Sequence, residues 1–334
     1  MATGMNRQIL LVETPKGKLA PDNFRLVENT IPSPKEGELL VKVKLISLDA
    51  ANRAWMQGAT YRSAVESGTV MAGGSISEVV ESKAPGFKTG DLVFADTGWQ
   101  DYAAIPAKAA DKVPAMEPLS HLLSVYGIAG LTAYHGLLDV GKPKPGDTVV
   151  VSAAAGSVGS IVGQIAKIKG CTVIGIAGDD DKCAMLTNEL GFDHAINYKK
   201  EAVGKALRAA APKGIDVYFD NVGGDILEAC LFNMNLYVRI ACCGAVSQYD
   251  GAPPAHGPRG IPGLIVVKRL TMQGFILTDF NDKREQAMAD LQSWVAEGKL
   301  KVREDIMTGL ENTPAALIGL LAGNNIGKRM VKVS

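Results

Sequence analysis

Between Val149 and Gly170 the chain passes from an unbroken apolar run into a helical repeat, with a turn of small residues between them. Val149, Val150 and Val151 are β-branched and uninterrupted, which predicts a strand covered on both faces. Val158, Ile161, Val162, Ile165 and Ile168 then recur at helical spacing, and Gly170 stands where a C-terminal cap belongs. The turn itself reads Ala154-x-Gly156-x-x-Gly159. A helix that begins in such a turn aims unpaired N–H groups at one point, which suits a pyrophosphate. Because Ala154 replaces the first glycine of the dinucleotide fingerprint, the turn taken alone also fits plain helix–strand packing. Thr148 to Ala166 carries no charge, but three glycines, three serines and Gln164 dilute its hydrophobicity too far for a membrane span.

The alternation continues downstream. CTVIGIA (Cys171 to Ala177), HAINY, IDVYFD, Leu236 to Gly244 and Leu270 to Leu277 predict strands, and EAVGKALRAA and DILEACLFN predict helices between them. Strands interleaved with helices imply right-handed crossovers and a doubly wound parallel sheet. Ligands of such sheets lie at the carboxyl ends of the strands. Those ends carry Asn221 before two glycines, the segment Cys243 to Tyr249, and Phe275 to Thr278. FNDKREQAMADLQSWVAEGKL is an amphipathic helix with Met288, Leu291, Trp294 and Val295 on one side. Gly251 to Gly263, dense in Pro and Gly, suits either a lid or an inert loop.

Upstream, the texture is that of short strands broken by turns. ELLVKVKLISL alternates Val41, Val43 and Leu45 against Lys42 and Lys44, a half-exposed strand. SISEVVES after Gly73-Gly74, GFKTGDLVFA and GWQDYAAI add more, so this part reads as a small β-barrel-like domain. Ser47 to Arg62 interrupts it with Arg53, Trp55, Tyr61 and Arg62, either a solvated loop or the wall of a pocket. The tail from Lys301 reads as strand, helix, strand, and its basic and β-branched alternation predicts a return to the first domain. The expected division is 1–125 with 299–334, and 126–298.

Composition narrows the chemistry. The 334 residues suit two domains, and 35 basic against 35 acidic residues favour neither nucleic acid nor an anionic membrane. Five cysteines, all from Cys171 onward, make no disulfide framework, and the start has no signal-peptide pattern; a reducing, cytoplasmic setting is expected. No cysteine precedes Cys171 and no histidine precedes His121, so the ordered ligands of a zinc site are missing and no metal is expected. His135 lies within a helical pattern as a packed or solvent-facing side chain. Asp179, twenty residues beyond Gly159, is spaced to bind a ribose 2′-OH and favour NADH, whereas Lys182 can pair with a 2′-phosphate and favour NADPH. Asp179 to Asp181 also suit a helix cap. Spacing alone leaves these open.

With these residues in hand, the chain resembles the zinc-free medium-chain dehydrogenase/reductases, specifically the prostaglandin reductase, alkenal double-bond reductase and curcumin reductase group. The resemblance rests on GLTAY (Gly130 to Tyr134), VSAAAGSVGSIVGQIAKIKGC, FDNVGG, CGAVSQY, QGF and GLENTPAALIGLLAGNNIGK, in that order. It implies a Rossmann sheet with a GroES-like β-barrel domain, a homodimer through the Leu270 to Leu277 strand edge, and NADPH without zinc. Carried over residue by residue, Gly156, Ser157, Val158 and Gly159 would hold the pyrophosphate. Lys182 and Tyr198 would hold the 2′-phosphate and adenosine end. Asn221 and Cys243 to Tyr249 would lie along the ribose and nicotinamide, Phe275 and Ile276 would hold the carboxamide, and Asn325 would lie near the diphosphate.

Three departures stand out. Asp179 replaces a small or hydroxyl residue, which leaves NADH use open. Asp49-Ala50-Ala51-Asn52-Arg53 keeps the group's arginine but loses a pocket tyrosine. Thr278 replaces another tyrosine of some prostaglandin reductases. The implied reaction is NADPH-dependent reduction of the C=C bond of an enone or enal, with Tyr249 and, less directly, Arg53 as catalytic candidates. Quinone reduction and a non-catalytic NADPH-binding protein are the alternatives.

Overall fold

A computed structural model describes residues 4–251 and 257–333. Ala252 to His256, within the Pro- and Gly-rich segment singled out above, lie outside the described residues.

Six parallel strands form the central sheet, in the order His194–Asn197, Thr172–Ala177, Thr148–Ser152, Ile215–Asp220, Met234–Cys242 and Thr271–Gly274. The strand order runs outward in both directions from Thr148–Ser152, so the chain reverses direction between it and Ile215–Asp220. In open sheets of this kind the ligand crevice lies at the carboxyl ends of two such strands. Burial on both faces follows from the side-chain alternation. Val149 and Val151 enter one apolar cluster with Ile161, Val162, Ile165, Phe219 and Trp294, while Val150 enters the opposite one with Ile174, Tyr218 and Leu231. Each such valine contributes about 1.5–3 kcal/mol on burial, so the strand that carries the glycine turn is firmly anchored. The helix Ser157–Ile168 ends as its sequence predicts, with Gly170 at φ +80° just beyond it.

The N-terminal sheet domain contains a seven-stranded sheet. Its path runs Glu304–Thr308, Lys328–Lys332, Glu38–Ser47, Gly74–Ser82, Leu92–Asp96 and Asp111–Lys112, with Tyr102–Pro106 also paired to Glu38–Ser47. Met5–Leu11 and Phe24–Thr30 form a separate hairpin-like pair. The C-terminal segment does return: Lys328–Lys332 pairs antiparallel with Glu38–Ser47, matching Met330 to Ser47.

Two element boundaries differ from expectation. The strand predicted over Leu270 to Leu277 stops at Gly274, and Leu277–Lys283 turns as a short 3-10 helix. The Asp279 carboxylate accepts the Ile276 N–H (3.0 Å), a local bond that competes with the ladder. The strand predicted from Leu236 begins at Met234, with an irregular register opposite Ile215 and Val217. The helix Ile128–His135 continues as a wider π-turn over Gly136–Gly141, and His135 is packed, stacked on Phe280 at 4.8 Å. No helix among the described residues is long and apolar enough to cross a membrane.

Candidate active site at the sheet switch point

The glycine turn supplies backbone donors. No side chain caps the helix Ser157–Ile168, and the Gly156 N–H is already bonded to the Ala153 carbonyl (2.9 Å). The N–H groups of Ser157, Val158 and Gly159 therefore open the helix without an intrahelical acceptor. A Cβ on Gly159 would come within 2.4 Å of the Ala153 oxygen and 2.8 Å of the Ala154 Cα, so only glycine lets the helix sit this close to the strand. An anion of pyrophosphate size fits this end by charge and by donor geometry.

The C-terminal segment closes over the same turn. The Gly327 N–H donates to the Ala155 carbonyl (2.8 Å), and Gly156 and Gly327 form a bridge. Gly327 has φ +69°, and a Cβ there would lie 2.1 Å from the Arg303 oxygen, so this crossing too requires glycine. Asn325, buried beside it, donates to the Gly327 carbonyl (2.9 Å). The structure thus brings Asn325 to the glycine turn across more than half of the sequence.

At the end of Thr172–Ala177, Asp179 caps the helix Asp180–Asn188 by accepting the Lys182 N–H at 2.8 Å. Asp180 pairs with Lys200 and accepts from the Asn197 amide (2.7 Å). Lys182 is 9% exposed and donates to the Gly323 carbonyl. Burial lowers its pKa, and the nearby Asp179 carboxylate partly restores it. Tyr198 lays its ring beside Gly178, and its N–H bonds the Ala177 carbonyl (3.1 Å). Lys182 and Tyr198 therefore share one strand end, where a phosphate would find a cation.

The crevice wall is organised by Asp220, a residue not singled out by its sequence. Buried at the end of its strand, it accepts from the Tyr218 hydroxyl (2.8 Å), the Val222 N–H (3.0 Å) and the Gly223 N–H (2.8 Å). Its own carbonyl accepts the N–H groups of Cys243 (2.8 Å) and Gly244 (3.1 Å). One residue thereby fixes both the Asn221 turn and the start of the Cys243 to Tyr249 loop. Its only sequence signal was an acid at the end of an apolar strand, which is also what a turn looks like. Asn221 is anchored across the switch point: its N–H donates to Ser152 Oγ (2.9 Å) and its amide to the Ser152 carbonyl (2.7 Å). Burial pushes the Cys243 thiol up to about 12, so it is an inert packing group.

Tyr249 is half-buried, and its hydroxyl accepts the Ala245 N–H at 3.1 Å. A Cβ on Gly244 would lie 3.3 Å from both that hydroxyl and the Asn221 main-chain carbonyl, so the two lie close about Gly244. Phe275 turns its ring inward against Gly136 and Phe219, the ring centroids 6.2 Å apart for the phenyl pair. Ile276 is exposed, and its N–H is taken by Asp279.

From the N-terminal domain, the helix Ala51–Trp55 faces the Tyr249 loop. Arg53 is not a solvated arginine: it is 1% exposed and paired with Asp250 at 3.0 Å. Arg62 is half-buried, stacked 4.4 Å over Trp55 and paired with Asp96 at 2.6 Å. Tyr61, read only as part of this segment, accepts a hydrogen bond from the Trp55 indole (3.2 Å). The residue is 61% exposed, yet the neighbouring protein still displaces enough water to raise its pKa; the Trp55 bond opposes the rise, and Asp49 and Tyr249 add to it. Among the described residues, no three His, Cys, Asp or Glu side chains cluster as a metal site would require.

Residues 7–113 match the model described as the N-terminal domain of oxidoreductase, and residues 157–293 the one described as zinc-binding dehydrogenase. The NADPH-dependent curcumin reductase of Escherichia coli (strain K12) is 42% identical, covering 98% of this chain and 97% of that protein. Prostaglandin reductase 1 of Rattus norvegicus is 44% identical over 93% of this chain and 94% of its own length. The solved structure of CurA from Vibrio vulnificus in complex with NADPH superposes with a TM-score of 0.94 at 42% identity, covering 98% of this chain and 99% of that one. The chain belongs to the zinc-free medium-chain dehydrogenase/reductases, in the group of the prostaglandin, curcumin and 2-alkenal reductases, and is an NADP-dependent oxidoreductase.

Proposed function

We propose that this protein uses NADPH to reduce the C=C bond of α,β-unsaturated ketones and aldehydes. The observation that carries the reading is that the Asn221 main chain and the Tyr249 hydroxyl flank Gly244 at the carboxyl end of the same sheet whose glycine turn opens an uncapped helix N-terminus. When bound, NADPH supplies a hydride to the β-carbon of the enone. Gly156 to Gly159, with Asn325 over them, hold its pyrophosphate; Lys182 and Tyr198 take the 2′-phosphate and adenosine end. Asn221 and the Cys243 to Tyr249 loop lie along the ribose and nicotinamide, with Phe275 and Ile276 beside the carboxamide.

The chain's own task is then to manage the oxygen and the proton. Hydride addition places negative charge on the carbonyl oxygen, and a preorganised donor stabilises it. Tyr249 is suited to that role, because its oxygen already accepts the Ala245 N–H and its own proton is left to donate. Completing the reaction takes one proton to the α-carbon, from the Tyr249 phenol or from water, and leaves a saturated ketone. NADPH oxidation with 3-nonen-2-one, followed by mass spectrometry of the product, tests the proposal. A hydroquinone formed only from quinones would move the activity to quinone reduction. Consumption of no NADPH across enones, enals and quinones would leave a nucleotide-binding protein without turnover.

The same reading takes the chain as a cytoplasmic homodimer divided at 1–125 with 299–334, and 126–298. All five cysteines are free, in keeping with a reducing compartment. The edge strand Thr271–Gly274 is exposed, and Leu236, Tyr237, Val266 and Val267 lie exposed around it. Apolar surface beside an unpaired strand edge suits a second copy. Light scattering on the purified chain decides this; a monomer at micromolar concentration would remove the dimer.

A further inference from the structure

We propose that Arg53 and Asp250 form a clasp between the N-terminal sheet domain and the Rossmann-like part that positions Tyr249. The proposal rests on the reading that Tyr249 faces the substrate. Three residues of the N-terminal domain, Leu19, Arg53 and Gln57, close on two consecutive residues of the opposite loop. Asp250 Oδ1 accepts from Arg53 Nε (3.0 Å) and from the Leu19 N–H (2.7 Å). Arg53 Nη2 donates to the Gly17 carbonyl (2.8 Å), which ties the Gly17–Leu19 segment into the same knot. Gln57 donates to the Tyr249 carbonyl (3.0 Å).

The knot is buried. Arg53 is 1% exposed, and its Nη1 is enclosed without a hydrogen-bond partner. A guanidinium in that setting depends on its carboxylate, because an uncompensated buried charge is costly. The loop depends on the clasp in turn. Within its own segment, Tyr249 is held by its N–H to the Val246 carbonyl (3.3 Å) and by its hydroxyl on the Ala245 N–H (3.1 Å). Both bonds lie in the same short turn, so neither fixes that turn against the N-terminal domain. Among the described residues, the Gln57 bond and the bonds of Asp250 with Arg53 and the Leu19 N–H do. Arg53 is thus a positioning residue: its Nε and Nη2 are spent on Asp250 and Gly17, and its Nη1 is enclosed.

The test uses the whole chain with Arg53→Ala, Asp250→Ala, their double variant, and Asp250→Asn, which keeps an acceptor oxygen. Hydrogen exchange followed by mass spectrometry reads the clasp without any substrate. Both alanine variants should speed exchange in the 17–19 and 243–251 segments, through the Leu19 and Ala245 amides, and leave 148–152 unchanged. In turnover, kcat should fall about 100-fold, as a misplacement near 1 Å costs, while KM for NADPH holds. The solvent isotope effect should rise as proton delivery becomes slower. Asp250→Asn keeps an acceptor for the Leu19 N–H but leaves the buried guanidinium without its countercharge, so it should recover only part of the loss, and the double variant should be no worse than the weaker single one. Unchanged exchange at 243–251 in both alanine variants overturns the clasp. Faster exchange with unchanged kcat overturns its role in placing Tyr249. A wild-type protein that turns over no enone sinks the proposed function instead, and the exchange result still decides the clasp.

Discussion

At the pyrophosphate end of the crevice the binding groups are backbone N–H donors held by a strand and a helix of the parallel sheet. At the other end they are side chains on loops, gripped by residues from both sheets. The first kind of site depends on close approach: Gly159 and Gly327 exist so that one segment can lie against another. The second depends on partners that are far apart in sequence, such as Arg53 with Asp250 and Gln57 with Tyr249. A backbone site fails by being filled, and a loop site fails by being released. The two ends should therefore answer to different substitutions.

Filling the turn gives the largest expected effect. Gly159→Val places a branched side chain where the Ala153 oxygen already stands 2.4 Å from a Cβ. Overpacking of this kind costs about 1–3 kcal/mol and shifts the helix off its seat. NADPH binding, followed by fluorescence titration, should be lost, while Gly156→Ala, whose Cβ meets that oxygen at 3.1 Å, should weaken it only partly. Equal binding by both variants would mean that the close approach does not govern this end.

Tyr249→Phe tests the other end next. It removes the phenol and leaves the Gln57 contact to the main chain. If Tyr249 donates the proton, kcat for an enone should drop about 10²–10⁴-fold with NADPH affinity unchanged. Unaltered turnover would take Tyr249 out of the mechanism and leave water as the donor.

The same contrast explains what could be read before the fold was known. The strand–turn–helix, its C-terminal glycine and the alternating strands were legible because periodicity and glycine placement are local. The side-chain site was legible only as residue types. Arg53 looked like a solvated arginine or a pocket donor, since nothing near it in sequence announces Asp250. Asp220 looked like a turn residue, yet it ties the Asn221 turn to the Tyr249 loop by bonds to both. The predicted strand beyond Gly274 failed for a related reason: the Asp279 side chain competes for a backbone donor that apolar patterning does not see.

Lys182 lies between the two kinds of site, a side chain fixed by a backbone carbonyl. Lys182→Ala should weaken NADPH by about tenfold to a hundredfold, the range for hydrogen bonds to charged groups, and leave NADH nearly unaffected. Equal losses for both cofactors would show that Lys182 holds the Gly323 segment rather than a phosphate. The pH dependence has a definite sign. Burial lowers the folded pKa of Lys182, so the unfolded chain holds this proton at higher pH than the folded one does. In the cofactor-free protein its contribution to stability therefore rises as pH climbs through that lowered pKa. Affinity for NADPH moves the opposite way, since the cation that meets the phosphate is lost over the same interval, and the NADPH-to-NADH ratio should shrink there.

Asp179 gives the smallest effect and the sharpest test of where backbone and side-chain logic meet. Its carboxylate is already committed to the Lys182 N–H as a helix cap. Asp179→Ser keeps a capping oxygen, so stability should change by less than the roughly 1 kcal/mol that a lost cap costs. It also removes a negative charge beside the 2′-phosphate site, so NADPH should bind a few-fold tighter, the more so at low salt. NADH should hold its affinity if the carboxylate serves only as a cap. A fall in NADH binding would instead mean that Asp179 leaves the helix end to reach the ribose, and that one side chain serves both cofactors.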